Sequence, residues 1–400
     1  MTIGILRETK VPLDRRVTLI PGQVRDLCKQ YPEHTFVVQS SSIRSFTDEE
    51  YLNEGLHIVR DIDNCDILLG IKEVEIQSLL EDKIYLMFSH TAKMQAYNRQ
   101  LLKKCSEQGI TLIDYEYLVK NNERVITFGY WAGIVGAYNV LIAYGMQTGN
   151  FNLKPAYKCT DIIELKSELA EVTFTKPVKF VVTGEGRVAT GAIEIFKLCG
   201  IKKVTPHEFI NEYFSESVFC QIGPQHYTKH KRGKKFFFKD FVENPEDYIS
   251  DFFRFAKAAD IFIACHYWDN RSPVILTPDQ MKHPDFNIKM IADISCDIKY
   301  PIPSTVRASS IEHPFYGYDR YNEIETEPFT GDHLTVMSVD NLPGELPRDA
   351  SADFGEKLKN IVIPELLSCA ESEMINGATI LKKGNLTGKY SYLSDYLNKS

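Results

Sequence analysis

Long apolar runs are missing from this 400-residue chain. No window reaches the roughly 18 uninterrupted apolar residues that a membrane-spanning helix needs, so none is expected. The first ten residues, MTIGILRETK, carry charge and lack the apolar stretch of a secretion signal, so export is not expected either. Paired cysteines are missing too. The nine present (Cys28, Cys65, Cys105, Cys159, Cys199, Cys220, Cys265, Cys296, Cys369) are odd in number, scattered and never spaced as CxxC. That argues against a disulfide frame or zinc ribbon and for reduced, mostly buried thiols in a cytoplasm, with no metal site. Excess positive charge is missing as well: 46 Lys plus Arg stand against 54 Asp plus Glu, a net charge of -8. General nucleic-acid binding needs the opposite field. No repeat or low-complexity tract occurs. What remains is ordinary globular composition, 44% hydrophobic and 25% charged, in a chain long enough for two or three domains with their own cores. The expected partners are small molecules rather than nucleic acid or membrane, and oligomer formation is left open.

Strand-length apolar runs alternate with helix-length amphipathic stretches: TIGILR then PGQVRDLCKQY, HTFVVQ then DEEYLNEGL, DILLGI then EIQSLLED, KIYLMFS then KMQAYNRQLLKKCSEQ, and ITLIDYE. This is the pattern of parallel βαβ units. From Phe128, GYWAGIVGAYNVLIAYGMQTG reads as a long buried helix leaving the first domain. A second α/β unit opens at TKPVKFVVTGEGRVATGAIEIFKLCGIKKVT, with later core strands in DIFIACHY, IKMIADIS and HLTVMSVDNLP. Between them, residues 206–259 read as one long polar connection. Its basic run Tyr227–Phe236 suits a solvated surface better than a polyanion site in so acidic a chain. After NLPGELPRDAS, residues 352–368 read as an amphipathic helix returning to the first domain. The expected fold is α/β, with two Rossmann-like doubly wound domains. The first is discontinuous, residues 1–130 plus 346–400, and the second spans 131–345.

Gly184-Glu185-Gly186-Arg187-Val188-Ala189 is GxGxxA placed between a buried strand and a helix. In that context Gly184 makes the tight turn, Gly186 lets backbone approach a pyrophosphate, and Ala189 allows close helix–strand packing. Helix N-terminal N–H groups then meet the phosphates. A tight βα turn without nucleotide is the weaker alternative. NAD sites normally place an acid at the end of the next strand. Here IKKVT ends at Thr205-Pro206-His207, with no carboxylate before Glu208, and Arg187, Lys202, Lys203 or His207 supply positive charge. The expectation is NADP, with NAD still open through Glu208.

In the first domain Lys72 closes LLGIK, His90 closes YLMFSH and Glu116 lies in LIDYE, while Lys10 and Arg16 follow the first strand. Ligands of open α/β sheets bind beyond the carboxyl ends of strands, where these residues should converge. Lys and His of adaptable pKa exchange protons near neutrality, and Arg clamps carboxylates. Singly such residues have bland roles; their shared position at successive strand ends points to a site. It is expected to be locally cationic within an acidic chain.

RETKVPLDRRVTLIP, GIKE, FSHT, LIDYE, ERVITFGYWAG, GEGRVATGA, ADIS and SVDNLP, in that order, resemble the alanine dehydrogenase and lysine-forming saccharopine dehydrogenase superfamily. Within it the chain looks most like the lysine–ketoglutarate reductase half of aminoadipic semialdehyde synthase, a likeness that extends through PHEF, NPEDYIS, IEHPF and GNLTGKYSYL. No segment here resembles that enzyme's saccharopine-oxidising half, so a separate enzyme of that kind is a possible partner. The resemblance implies a site in the cleft between two domains, and reductive condensation of lysine with 2-oxoglutarate by a reduced nicotinamide. It implies Lys72 and His90 as the acid/base pair, Arg16 and Arg124 on substrate carboxylates, and Glu73 and Glu116 either tuning that pair or holding a substrate amine; Lys10, from its place after the first strand, is expected on the substrates with them. On the cofactor side it implies Gly184, Gly186, Arg187, Val188, Ala189, Cys265, His266, Asp293, Ser295, Asp340, Asn341 and Leu342, to which the end of the strand IKKVT adds Thr205 and His207. A disulfide of fungal relatives needs a cysteine where Val188 stands, so Cys265 is expected as a free thiol. The alternatives are an amino-acid dehydrogenase of the alanine type, and a non-catalytic nucleotide-binding or transhydrogenase-like subunit.

Overall fold

The computed structural model describes residues 1–368 and 370–398; Cys369 lies outside the described residues. The chain divides into two compact units, Met1–Phe128 with Pro347–Ser400, and Gly129–Leu346.

The first unit is built on an eight-stranded sheet. Its order is Asn385–Leu386, Thr379–Lys382, Thr111–Asp114, Ile84–Met87, Ile67–Leu69, Thr2–Ile5, Thr35–Gln39 and His57–Val59. The six strands from Thr111–Asp114 to His57–Val59 are parallel, and the two C-terminal ones run antiparallel. Strands such as Ile67–Leu69 are buried along their whole length, as expected where helices cover both faces of a parallel sheet. The helix Arg99–Glu107 buries Leu101, Leu102 and Cys105 on one face, and Pro21–Gln30 buries Val24 and Leu27. The helix Pro347–Lys357 brings the chain back. Its Phe354 stacks on Phe128, centroids 5.1 Å apart, and meets Tyr115 edge-on at 5.1 Å, while Ser351 Oγ accepts the Val17 N–H at 2.9 Å. This returning segment starts earlier than the sequence suggests and runs through a π-helical stretch, Leu358–Val362, before Ile363–Leu367.

The second unit also holds an eight-stranded sheet, ordered Lys202–Lys203, Val218–Ile222, Lys179–Thr183, Ile261–Ala264, Met290–Asp293, Leu334–Met337, Phe315–Asp319 and Ile324–Thr326. Its first six strands are parallel and the last two antiparallel. One expectation is corrected here. Residues 206–259 are not merely a polar connection, because Val218–Ile222 inserts beside Lys179–Thr183 and pushes Lys202–Lys203 to the edge. Most of the rest of that segment stays outside the sheet. The basic run pairs Thr228–His230 with Tyr248–Ser250, and Lys229 meets Asp251 at 3.1 Å.

The helix Gly129–Thr148 is buried over most of its surface and crosses Arg187–Leu198 at close range. A Cβ on Gly133 would lie 1.9 Å from the Val188 carbonyl oxygen, and one on Gly191 2.1 Å from that of Tyr130. Glycine is therefore required at both positions for the backbones to approach. No helix among the described residues is long and apolar enough to cross a membrane. The cysteines they include, Cys265 among them, are free thiols.

Candidate functional site

Four neighbouring parallel strands of the first unit, Thr2–Ile5, Ile67–Leu69, Ile84–Met87 and Thr111–Asp114, lead at their carboxyl ends into the segments bearing Lys10 and Arg16, Lys72 and Glu73, His90, and Glu116. Adjacent strands lie about 4.8 Å apart, so sheet order alone lines these residues up along one edge.

Two charged groups form there. In one, Lys10 Nζ meets both oxygens of Glu73, at 2.8 and 2.7 Å. Arg16 is 2% exposed, donates through Nε to Asp14 Oδ1 at 2.9 Å, and lies over the Phe128 ring at 4.2 Å. Burial alone would raise the Asp14 pKa, but the charge and hydrogen bonds of Arg16 overcome it and hold the carboxyl at about 2. Lys72 is half-buried, and loss of water first, then the positive charge of Arg16, lowers its pKa. Burial thus outweighs the neighbouring cations as the cause. The Lys72 backbone is held by Glu8, whose carboxylate accepts the Ile71 and Lys72 N–H groups at 2.7 and 2.8 Å. Burial raises Glu8 to about 7 despite those two bonds.

In the other group, His90 has a left-handed backbone, φ 52°, which costs an L-residue roughly 1–2 kcal/mol. Buried Asp114 fixes that turn: its Oδ2 accepts the N–H of Ser89 and of His90, both at 3.1 Å, and the Ser89 hydroxyl at 2.7 Å. Burial raises the Asp114 pKa. His90 Nδ1 lies 3.3 Å from Glu116 Oε2, to which Lys93 also pairs at 3.0 Å. Arg124 binds the other oxygen of Glu116 and, through Nε, its backbone carbonyl at 3.0 Å. Burial works against ionisation of Glu116, but His90, Lys93 and Arg124 together bring it to about 2.

The expected site residues of this unit therefore come together, but most arrive already paired. Lys10 pairs with Glu73, Arg16 with Asp14, and Lys93 and Arg124 with Glu116, while Glu8 and Asp114 accept the backbone N–H groups of Lys72 and His90. The expectation of a cationic site is corrected to one in which carboxylates match the cations in number. Glu8, Asp14, Lys93 and Asp114 were not singled out from sequence. Their partners lie on other strands, and only Asp14, two residues from Arg16, carried a local signal.

In the second unit, Gly184 follows the strand Lys179–Thr183 with φ +96°, and a Cβ there would lie 2.6 Å from the Cys265 carbonyl oxygen. A Cβ on Gly186 would point into open space, and Gly186 caps the 12-residue helix Arg187–Leu198. The turn thus presents helix N–H groups beside clear space, a setting for an anion. Arg187 is exposed at the first helical position, Val188 faces Gly129 and Gly133, and Ala189 is buried.

Beside the turn, His266 is buried, its Nδ1 2.7 Å from Thr183 Oγ1 and its Nε2 without a hydrogen-bond partner among the described residues. Burial lowers it to about 4, so it is neutral at physiological pH. Burial pushes the Cys265 thiol up. Asp293 is consumed locally: it accepts the Ser295 hydroxyl at 2.6 Å, the Ser295 and Cys296 N–H groups, and the Thr305 hydroxyl at 2.6 Å. Asp340 is exposed, the Asn341 carbonyl accepts the Gly344 N–H, and Leu342 is buried near Gly136.

Thr205 and His207 are placed differently from the sequence reading. The strand beside Lys179–Thr183 is Val218–Ile222, so Thr205 ends a strand one position further out. There it caps the short helix Pro206–Asn211 with Glu208, and both Thr205 and His207 are exposed. Gln221 stands at the nearer strand end. Its Nε2 donates to the Gly184 carbonyl at 3.0 Å and its Oε1 accepts from Lys203 at 3.0 Å.

Residues 4–135 match the family described as "Alanine dehydrogenase/PNT, N-terminal domain". The chain is 30% identical to an alpha-aminoadipic semialdehyde synthase of Arabidopsis thaliana, an alignment covering 98% of this chain and 41% of that protein. It is 26% identical to a saccharopine dehydrogenase [NAD(+), L-lysine-forming] of Neurospora crassa, covering 92% and 91%. It therefore spans less than half the length of its semialdehyde synthase relatives. Among solved structures, an L-alanine dehydrogenase superposes with a TM-score of 0.68 over 99% of both chains at 16% identity, which establishes the fold of two Rossmann-like domains.

Proposed function

We propose that this member of the alanine dehydrogenase and saccharopine dehydrogenase superfamily is a nicotinamide-dependent oxidoreductase acting on a CH–NH bond. Its reaction joins the ε-amine of lysine to 2-oxoglutarate and reduces the product to saccharopine. The observation that carries this reading is the convergence of Lys72 and His90, among paired carboxylates and cations, at the ends of neighbouring strands. The chain bearing them aligns nearly end to end with lysine-forming saccharopine dehydrogenases.

The residues divide the work as follows. Condensation needs a neutral amine, and Lys72, its pKa lowered by burial and by Arg16, takes the proton from the substrate ammonium. Loss of water from the carbinolamine needs an acid, and His90, held through Nδ1 by Glu116, supplies that proton. Arg16, aligned by Asp14 and Phe128, receives a substrate carboxylate. Lys10 with Glu73, and Glu116 with Arg124, receive substrate groups of opposite sign by exchanging one partner for another. Such a paired lining suits a substrate pair that brings both charges, the ammonium groups of lysine and the carboxylates of both molecules.

The turn in the second unit fits a dinucleotide: Gly184 allows the bend, Gly186 leaves room for phosphate, and Arg187, Val188 and Ala189 begin the helix whose N–H groups meet it. When bound, a reduced nicotinamide supplies hydride to the carbon–nitrogen double bond. Cys265, His266, Asp340, Asn341 and Leu342 line its approach, while Asp293 and Ser295 shape the loop between. We assign NADP as preferred over NAD. The support is the neutral Gln221 with Lys203 beside it, where an NAD site would carry an acid; Thr205 and His207 are too far out to make that distinction. The free thiols support a reducing compartment such as the cytoplasm. A separate saccharopine-oxidising enzyme is the partner that would consume the product.

The test is oxidation of NADPH or NADH, followed at the nicotinamide absorbance, with lysine plus 2-oxoglutarate or with ammonia plus pyruvate. Turnover only with pyruvate and ammonia would replace this reading by an alanine-type dehydrogenase, whose fold the chain shares. No turnover with either pair, with nucleotide still bound, would favour a non-catalytic subunit. Much tighter binding of NADH than of NADPH would overturn the NADP assignment.

A further inference from the structure

The second unit holds an open depression of about 530 Å³ lined by Lys257, Asp285, Phe286, Asn287, Lys289 and Arg320. It lies at the opposite end of the strands from the nucleotide turn. Lys257 and Lys289 precede Ile261–Ala264 and Met290–Asp293, whose far ends lead into Cys265 and Ile294. Arg320 follows Phe315–Asp319, which runs antiparallel to Leu334–Met337 and so ends on that same side.

Three cations here face one carboxylate. Lys257 is paired with Asp285 at 3.0 Å. Lys289 is exposed, and its side chain makes no ion pair among the described residues. Arg320 is only 8% exposed, lies 5.3 Å from the Phe286 ring and 5.1 Å from the Tyr321 ring, and meets no carboxylate among the described residues. Its guanidinium donates weakly to the Phe286 carbonyl at 3.3 Å and to the Tyr321 hydroxyl at 3.2 Å, and Nε has no partner among the described residues. A buried guanidinium without a counter-charge is costly to keep. An oxyanion in the depression would supply that charge and accept from the planar donor fork. Asn287 is pinned by its bond to the Ala259 carbonyl at 3.0 Å, so this wall is fixed in advance.

We propose that this depression is a second small-molecule site, taking a compact oxyanion of the phosphate class, separate from the nucleotide turn and independent of the reaction assigned above.

Calorimetric titration with inorganic phosphate, against chloride at matched ionic strength, tests it. Saturable binding is expected. It should weaken roughly tenfold or more in Lys289→Ala, which removes one charge-assisted bond, and vanish in Arg320→Met. Lys289→Glu, at an exposed position, should abolish binding without disturbing the core. Binding should persist in Gly186→Val, where the nucleotide turn is blocked. No saturable binding, or binding lost in Gly186→Val but unchanged in Lys289→Glu, would overturn the proposal.

Discussion

Two carboxyl groups near Arg16 depend on pH in opposite directions. Asp14 is held at about 2, below the value of 3.8 typical of a free side chain. Its contribution to stability is therefore complete above that free value and lost as pH falls through about 2. Its size is about 2 kcal/mol. Glu8 is raised to about 7, so between its free value and 7 the folded protein keeps a proton the unfolded chain has released. Stability accordingly falls as pH rises through that window. Urea unfolding across pH should show a shallower acid loss in Asp14→Asn and a flatter profile between about pH 4.5 and 7 in Glu8→Gln. An unchanged acid limb in Asp14→Asn would remove Arg16 as the cause of its shift. His90→Ala should lower kcat by about a hundredfold or more while cofactor affinity stays near wild type. Full turnover in that variant would remove His90 from the proton transfers.

At the scale of elements, the close helix crossing carries the sharpest expectation. Gly133→Ala places a methyl against the Val188 carbonyl, where the separation is 1.9 Å. It should cost roughly 1–3 kcal/mol, read as a lower thermal midpoint. Elements with compact apolar runs were legible in sequence: KFVVT, IFIA and MIAD all fall in strands. Val218–Ile222 was not, because VFCQI is interrupted by Gln221 and follows the polar stretch NEYFSES. Thr379–Lys382 was missed for a related reason. Its burial comes from antiparallel pairing with Thr111–Asp114, far away in sequence. The strand-end positions of Lys72, His90 and Glu116 could be read because they follow obvious strands. The carboxylates that hold them could not, since Glu8 reaches Lys72 across 64 positions and Asp114 reaches His90 across 24.

For the whole molecule, the first unit depends on two separated stretches of chain. A chain ended after Leu346 loses Phe354, which packs on Phe128 and Tyr115, and the strand that covers Thr111–Asp114. Hydrogen exchange should then be fast in Ile84–Met87 and Thr111–Asp114 but remain slow in Lys179–Thr183; protection in all three would show that the returning segment is dispensable. The same arrangement sets an order of events on the ribosome. Residues 129–346 emerge complete while the N-terminal sheet still awaits its last helix and strands. Those early strands must wait, with the edge of Thr111–Asp114 unpaired, until more than two hundred further residues have been translated. In that interval the nascent chain is most in need of chaperone protection.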